Sequence, residues 1–181
     1  MEIRRLPAEE DAVRRYVEEL WLPYHRDLEA AVESHELAED VDLVAEEVAF
    51  RTDRLDSEDY RAWVAVEGRP NGERSAEAGD VSLAETEGEL VGFVTTERDE
   101  APSVFDRPDR LVTGDIYVRE SHRGTGLARE LIDRAARRAR ETGCAELVLD
   151  VDIDNERAIA FYEKLGFEPL RRQIRVDVAV L

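Results

Sequence analysis

The segment Arg123-Gly124-Thr125-Gly126-Leu127-Ala128-Arg129 has the residue types and spacing to grip an anion. Gly124 and Gly126 remove side chains where backbone would touch a ligand, and both permit φ values that other residues avoid. The run Asp115-Ile116-Tyr117-Val118 ahead of them is strand-like, and helical spacing begins straight after Gly126. A helix that starts this way has first-turn amides without intrahelical partners, and its dipole adds about half a positive charge there. A pyrophosphate suits such a turn. The bland alternative is a glycine turn that only starts a helix. Two familiar phosphate motifs fail. The dinucleotide fingerprint needs a glycine where Arg129 stands, and no lysine follows the glycines as a P-loop requires.

Other elements must hold that turn in place. Glu2 to Leu6 reads as a first strand stopped by Pro7, and Ala8 to about Leu20 as a helix that Trp21, Pro23, Tyr24 and His25 break or bend. A second helical pattern runs from about Leu43 to Arg54. Strands are predicted at Ala62 to Val66, Leu90 to Thr95 and Leu111 to Val118. Gly68 to Gly88 reads as an acidic loop insertion, with Val81 to Ala84 a candidate extension of a neighbouring strand. Then follow a helix from about Gly126 to Glu141 capped by Gly143, a strand from Glu146 to Ile153, and a helix from Asn155 to Leu165 ended by Gly166. Phe167 to Arg171 and Gln173 to Leu181 alternate and are predicted as two strands. The order describes an α/β (α+β) single domain over residues 1–181, with a central mixed sheet flanked by helices. The last alternating segment is also a candidate to pair across a homodimer, which a monomeric mass by light scattering in high salt would rule out.

Charge narrows the partners: 44 acidic against 25 basic residues leave a net charge of −19, unsuited to nucleic acid. Lys164 is the only lysine. Abundant Asp and Glu with scarce Lys fit a halophilic cytosolic protein, because at molar salt the Debye length shrinks to about 3 Å and surface repulsion is screened. The alternative is an acidic mesophilic protein with arginine-rich codon usage. Cys144 cannot pair within the chain and is expected in the core. The first residues carry no apolar signal region, and no apolar run reaches about 18 residues, so a cytoplasmic protein with no membrane partner is expected. No spacing of His, Cys, Asp or Glu suggests a metal.

Arg119, Arg123, Arg129, Arg134, Arg137, Arg138 and Arg140 make one strongly basic segment, fit to receive a polyanion such as coenzyme A. Glu130 with Arg134 and Asp133 with Arg137 have the spacing of a solvated helix face, so Arg123 and Arg129 are the expected ligand contacts. Arg123 to Ala128 resembles the acyl-CoA motif of the GNAT superfamily of N-acyltransferases: Gln or Arg, two variable residues, Gly, one variable residue, then Gly or Ala. Asn155 with Ala158-Ile159-Ala160-Phe161-Tyr162-Glu163-Lys164-Leu165-Gly166-Phe167 resembles a second block of that family. The resemblance implies the family's fold and transfer of an acetyl group from acetyl-CoA, without a metal, to a primary amine. The acceptor would be a small molecule or a protein N-terminus and would attack directly. A catalytically silent acyl-CoA-binding or regulatory module is the alternative, and a nucleotide-binding fold is a third.

Carried over by position, Ile116, Tyr117 and Val118 would hydrogen-bond the pantetheine arm through their backbone. Gly124 to Arg129, with Thr125, Leu127 and Ala128 between, would hold the pyrophosphate. Asn155 would contact the cofactor, or serve only as a helix N-cap. Tyr162 would protonate the departing thiolate, although Ala158, Phe161, Tyr162 and Leu165 also form one apolar helix face. An alkyl ammonium of pKa about 10.4 is ~0.1% or less neutral at pH 7, so the acceptor needs a base or a water relay. Asp150 stands where some family members carry a glutamate assigned as base; Asp115 and Asp152 are rivals, and a solvated carboxylate is the bland reading. His122 is expected as a solvated loop residue. Trp21, Tyr24 and His25 are candidate acceptor contacts, against ordinary packing.

Overall fold

A computed structural model describes residues 1–31, 35–68, 83 and 88–180. The chain divides into two compact units, Met1–Asp150 and Val151–Leu181. In the first, β1 (Glu2–Arg5), β2 (Tyr60–Glu67), β3 (Glu89–Asp99), β4 (Arg110–Val118) and β5 (Glu146–Leu149) form one sheet in that spatial order. The first four pair antiparallel, and β5 joins β4 in parallel. The predicted mixed sheet is the one observed.

Both faces of the sheet are covered, so β3 is buried from Leu90 to Thr96 rather than alternating. On one face lie α1 (Glu10–Tyr16), α2 (Leu22–Ala31) and α3 (Leu43–Asp56); Val13, Tyr16, Val48 and Leu55 of these helices, with Leu20 between α1 and α2, pack with Val64 and Phe93. Asp42 caps α3 by accepting from the Ala45 amide at 3.0 Å. On the other face α4 (Leu127–Glu141) presses Leu127 and Leu131 against Ala65, Val91 and Val94. Gly143, at φ +74°, ends α4, with the Cys144 amide reaching back to the Ala139 carbonyl at 2.8 Å. Cys144 is buried, as expected.

Several elements depart from the sequence expectation. The first helix does not break: Val17–Trp21 widens into a π-helical turn, the Leu22 amide bonds the Val17 carbonyl five residues back, and helix resumes through Pro23 to Ala31. The wide turn lies just where the proline's missing N–H interrupts the α-ladder. The fifth strand stops at Leu149, four residues short of the predicted Ile153. Within the second unit, α5 (Glu156–Lys164) forms, but 167–180 holds no strand; a 3-10 turn at Val178–Val180 is its regular structure. Ile174, Val178 and Val180 are each more than three-quarters exposed, so the alternation finds no sheet among the described residues to bury it. The predicted acidic insertion falls mostly on 69–82 and 84–87, outside the described residues. Of it, the Leu83 side chain is buried beside the α1 face, and its carbonyl accepts from Arg15 at 2.9 Å.

Candidate functional site

The turn between β4 and α4 is built by its own backbone. A 3-10 turn at Glu120–His122 follows Val118, the Thr125 hydroxyl donates to the His122 carbonyl at 2.7 Å, and Gly124 and Gly126 take φ +82° and +97°. Gly126 is the N-cap of α4 and offers no side-chain cap. The amides of Arg129 and Glu130 bond its carbonyl, while those of Gly124, Gly126, Leu127 and Ala128 have no acceptor among the described residues. A Cβ at either glycine would meet no protein atom within 4 Å, so packing does not demand glycine there. Backbone conformation does, and so would a ligand seated in the space. Unpartnered amides, open cradle and helix start fit a pyrophosphate.

Strand β4 supplies the second part. Val94 pairs with Ile116 but Thr96 pairs with Thr113, so β4 carries an extra residue at Gly114 and Asp115. The Asp115 amide bonds Thr95 Oγ1 at 2.9 Å, and a Cβ on Gly114 would stand 2.6 Å from that oxygen, which is why glycine sits at the bulge. β5 follows β4 only from Arg110 to Thr113. Past that point the outer edge of β4 has no strand partner among the described residues. The Arg119 amide donates to the Val91 carbonyl at 2.9 Å, which fixes the phase of the ladder. Tyr117 therefore turns its peptide groups toward β3, and Ile116 and Val118 turn theirs outward to the open edge. The Val118 carbonyl accepts Arg123 Nε at 3.1 Å.

Of the expected cationic contacts, Arg123 is drawn to α2 by an ion pair with Asp27 at 2.9 Å, beneath the Tyr117 ring. Arg129 is exposed and loosely paired with Asp133 at 3.9 Å. Glu130, Asp133 and Arg137 lie on an exposed face of α4 as expected, but neither Glu130–Arg134 nor Asp133–Arg137 forms an ion pair among the described residues. Arg138 is buried, and Arg134 lies on the Trp63 ring. His122 is corrected. It is bonded to Glu67 and Ser121, each at 2.9 Å, with its side chain only 12% exposed.

Beneath the bulge lies a polar cluster that the motifs did not announce. Arg51 of α3 pairs with Glu47, bonds the Tyr60 hydroxyl and reaches Asp115 Oδ2 at 3.1 Å. The arginine occupies the same face as Val48 and Leu55, and a charged residue in an apolar helical stripe was the available sequence signal. The Tyr16 hydroxyl and His25 Nε2 are buried with no hydrogen-bond partner among the described residues. Burial pushes the Tyr16 pKa well up and pulls that of His25 down, Asp115 opposing the latter, so His25 is held toward the neutral imidazole. Trp21 and Tyr24 pack tilted and edge-on against His25, with ring centres at 4.4 and 4.7 Å, and Tyr24 also packs on Phe93 and Tyr117. The three aromatic acceptor candidates thus form one group beside β4.

Asp150 lies one residue beyond β5 and is exposed. Asp152 accepts the Asn155 amide on its carbonyl at 3.0 Å. In the second unit, Asn155 Oδ1 caps α5 through the Ala158 amide at 3.1 Å. Tyr162 is 8% exposed, packed on Phe161 and Phe167, and its burial raises the phenol pKa to about 12. Among the described residues no group of three or more His, Cys, Asp or Glu stands ready to hold a metal, and no helix is long and apolar enough to cross a membrane.

The mixed sheet thus opens between its fourth and fifth strands, beside an uncapped glycine turn. Residues 41–167 match the acetyltransferase (GNAT) family, and the chain belongs to it. It is 41% identical over 76 residues to a glucosamine 6-phosphate N-acetyltransferase of Trypanosoma brucei brucei, covering 41% of this chain and 50% of that protein. It is 32% identical over 90 residues to the N-alpha-acetyltransferase MAK3 of Arabidopsis thaliana, covering 50% of this chain and 45% of that one. The chain thus spans about half the length of these curated relatives. In fold it is similar to a tetramutant of the BH1408 protein from Bacillus halodurans, with TM-score 0.71 and 16% identity over 98% of this chain and 100% of the other.

Proposed function

We propose that this protein transfers an acetyl group from acetyl-CoA to a primary amine of a small molecule or a protein N-terminus, and that its two units act as one catalytic domain. The observation that carries the reading is the pairing of four unpartnered amides at the α4 start with the open outer edge of β4. Gly124, Gly126, Leu127 and Ala128 donate to the pyrophosphate, with Thr125 shaping the turn and Arg129 adding charge. Ile116 and Val118 offer outward peptide groups to the pantetheine arm, and Tyr117 supports them by packing on Phe93. Asn155 orders the start of α5, next to the cofactor in this reading. Acetyl-CoA supplies an activated thioester, so no residue of the chain needs to be acylated.

The Val118 amide donates to the carbonyl oxygen as charge grows there. Tyr162 keeps its proton at neutral pH, with its pKa raised to about 12. Full transfer to a thiolate of ordinary pKa about 8.5 would run uphill by about 3.5 pKa units, or roughly 5 kcal/mol. Tyr162 therefore acts first as a hydrogen-bond donor to the departing sulfur. Asp150 takes the amine proton through water. Asp115 is the second candidate, but its carboxylate is already engaged by Arg51.

The test is release of coenzyme A by purified protein with acetyl-CoA and an amine panel including amino sugars and N-terminal peptides. Tight acetyl-CoA binding without release for any amine would replace this reading with the silent acyl-CoA-binding module.

A further inference from the structure

On the α4 face of the sheet, away from the glycine turn, four arginines gather, and three of them have no carboxylate within ion-pairing distance among the described residues. Register sets Arg5 of β1 opposite Trp63 of β2. Arg61 is two residues along on the same face, which makes Arg5 and Arg61 diagonal neighbours about 7–8 Å apart. Arg134 and Arg138, one helical turn apart on α4, lie on the same side of the sheet. The Arg134 guanidinium sits 3.6 Å from the Trp63 ring centre. Arg138 Nη2 donates to the carbonyls of Glu58 and Asp59 at 3.1 and 2.8 Å, just ahead of β2.

Arg134 has Glu141 at 3.4 Å, but among the described residues no carboxylate oxygen stands within 4 Å of a nitrogen of Arg5, Arg61 or Arg138. Carbonyls satisfy N–H groups without cancelling charge. Arg61 Nη1 likewise meets the Tyr60 carbonyl at 2.6 Å, and Arg138 Nε is buried with no acceptor among the described residues. Burial first, then the charges of Arg61, Arg5 and Arg134, pulls the Arg138 pKa down to about 10, with Asp59 opposing. Burial and Arg5 lower Arg61 in the same sense, with Glu58 and Asp59 opposing. In a chain of net charge −19, carboxylates are the commonest neighbours an arginine could have. Arg5, Arg61 and Arg138 nonetheless form no ion pair among the described residues, and the patch opens to solvent at the exposed Arg5.

We propose that Arg5, Arg61 and Arg138, walled by Arg134 on Trp63, bind a phosphate group, either as free phosphate or carried by a small phosphorylated ligand. Guanidinium forks match the geometry and charge of an oxyanion, and one anion here would relieve three mutual repulsions at once. Arg134 and Arg138 lie seven and eleven residues past Leu127, roughly 10 and 16 Å along the helix, so this site is separate from the phosphate turn. Filling it ties β1, β2 and the C-terminal half of α4 together. The inference does not rest on acetyl transfer.

The test titrates intact protein with inorganic phosphate at constant ionic strength held by KCl, reading the melting temperature and the heat of binding. The wild type should show a saturable rise in melting temperature. Arg5→Gln and Arg61→Gln should each weaken phosphate binding by at least about tenfold, the loss of one charge-assisted contact. Without phosphate, Arg5→Gln should melt no lower than wild type, because an exposed, unpaired and repelled charge is removed; this keeps the test open if Arg61→Gln folds poorly. A parallel titration with glycerol 3-phosphate separates the two sources: tighter binding assigns the site to phosphorylated ligands, equal or weaker binding to free phosphate. The same shift from KCl alone would reduce the effect to screening and overturn the proposal. Undiminished phosphate binding in both variants would overturn it by placing the anion elsewhere.

Discussion

Replacing Gly126 by alanine separates what the glycine does for the fold from what it does for a ligand. At φ +97° an added Cβ meets no protein atom within 4 Å, so the stability cost is backbone strain alone. For an L-residue in that region the strain is about 1–2 kcal/mol. In a chain of this size such a loss lowers the melting temperature by about 2–8 °C. Gly143, at φ +74° and also with open space around a Cβ, is the matched control at the far end of α4. Gly143→Ala should cost similar stability. The two variants should part in titration calorimetry with acetyl-CoA. A methyl group at Gly126 occupies the space in front of the unpartnered amides, and loss of one charge-assisted hydrogen bond of about 1.5–3 kcal/mol weakens binding roughly ten- to hundredfold. Gly143→Ala should bind as the wild type does. Equal melting losses with equal acetyl-CoA affinity in both variants would refute the cradle and leave Gly126 as a helix start.

Three further outcomes are expected. Tyr162→Phe should lower kcat at least about tenfold with acetyl-CoA affinity and melting temperature nearly unchanged, because the hydroxyl has no protein acceptor among the described residues and acts only on the leaving sulfur; an unchanged kcat would remove it from the mechanism. Burial pulls the His25 pKa below its ordinary 6.5. The unfolded chain then binds more protons than the folded one, so this contribution is full above pH 6.5 and is lost as pH falls. Burial of Glu47 raises its pKa and works in the opposite sense. Urea midpoints at about pH 7.5 and 5.5 should therefore fall less in His25→Gln than in wild type, and an identical fall would contradict the assignment. Finally, we propose that the net charge of −19 marks adaptation to salt. The melting temperature should climb from dilute buffer to molar KCl as surface repulsion is screened, and a flat profile would sink that idea.

The glycine turn was legible because its signal is local: two glycines, a strand pattern before them and Leu127, Leu131 and Ala135 at helical spacing after. The same holds for Asn155 and Gly166, each of which marks an end of α5 by its own side chain or lack of one. What escaped depends on partners far along the chain. Pro23 looked like a breaker, and only the π-helical turn lets the helix pass it. The bulge at Gly114 needed Thr95 across the ladder to declare it, although an isolated glycine inside a strand was a hint. Arg51 stands out only as a charge in the apolar Val48 and Leu55 stripe, and its partners Asp115 and Tyr60 come to it from the sheet. The C-terminal alternation of Ile174, Val176, Val178 and Val180 promised a strand, but no edge among the described residues pairs with it. Alternation states what a strand would bury and leaves open whether a sheet is there to receive it.

The account turns on acetyl transfer to an amine, and one measurement reaches it directly. Purified protein given acetyl-CoA and a panel of amino sugars, polyamines and N-terminal peptides is assayed for coenzyme A release, with the acetylated amine identified by mass. Turnover with at least one amine is the predicted result, abolished or strongly reduced in Tyr162→Phe, and in Gly126→Ala lost at low acetyl-CoA but restored when acetyl-CoA is raised to saturation. Saturable acetyl-CoA binding with no acetylated product from any amine would contradict the account.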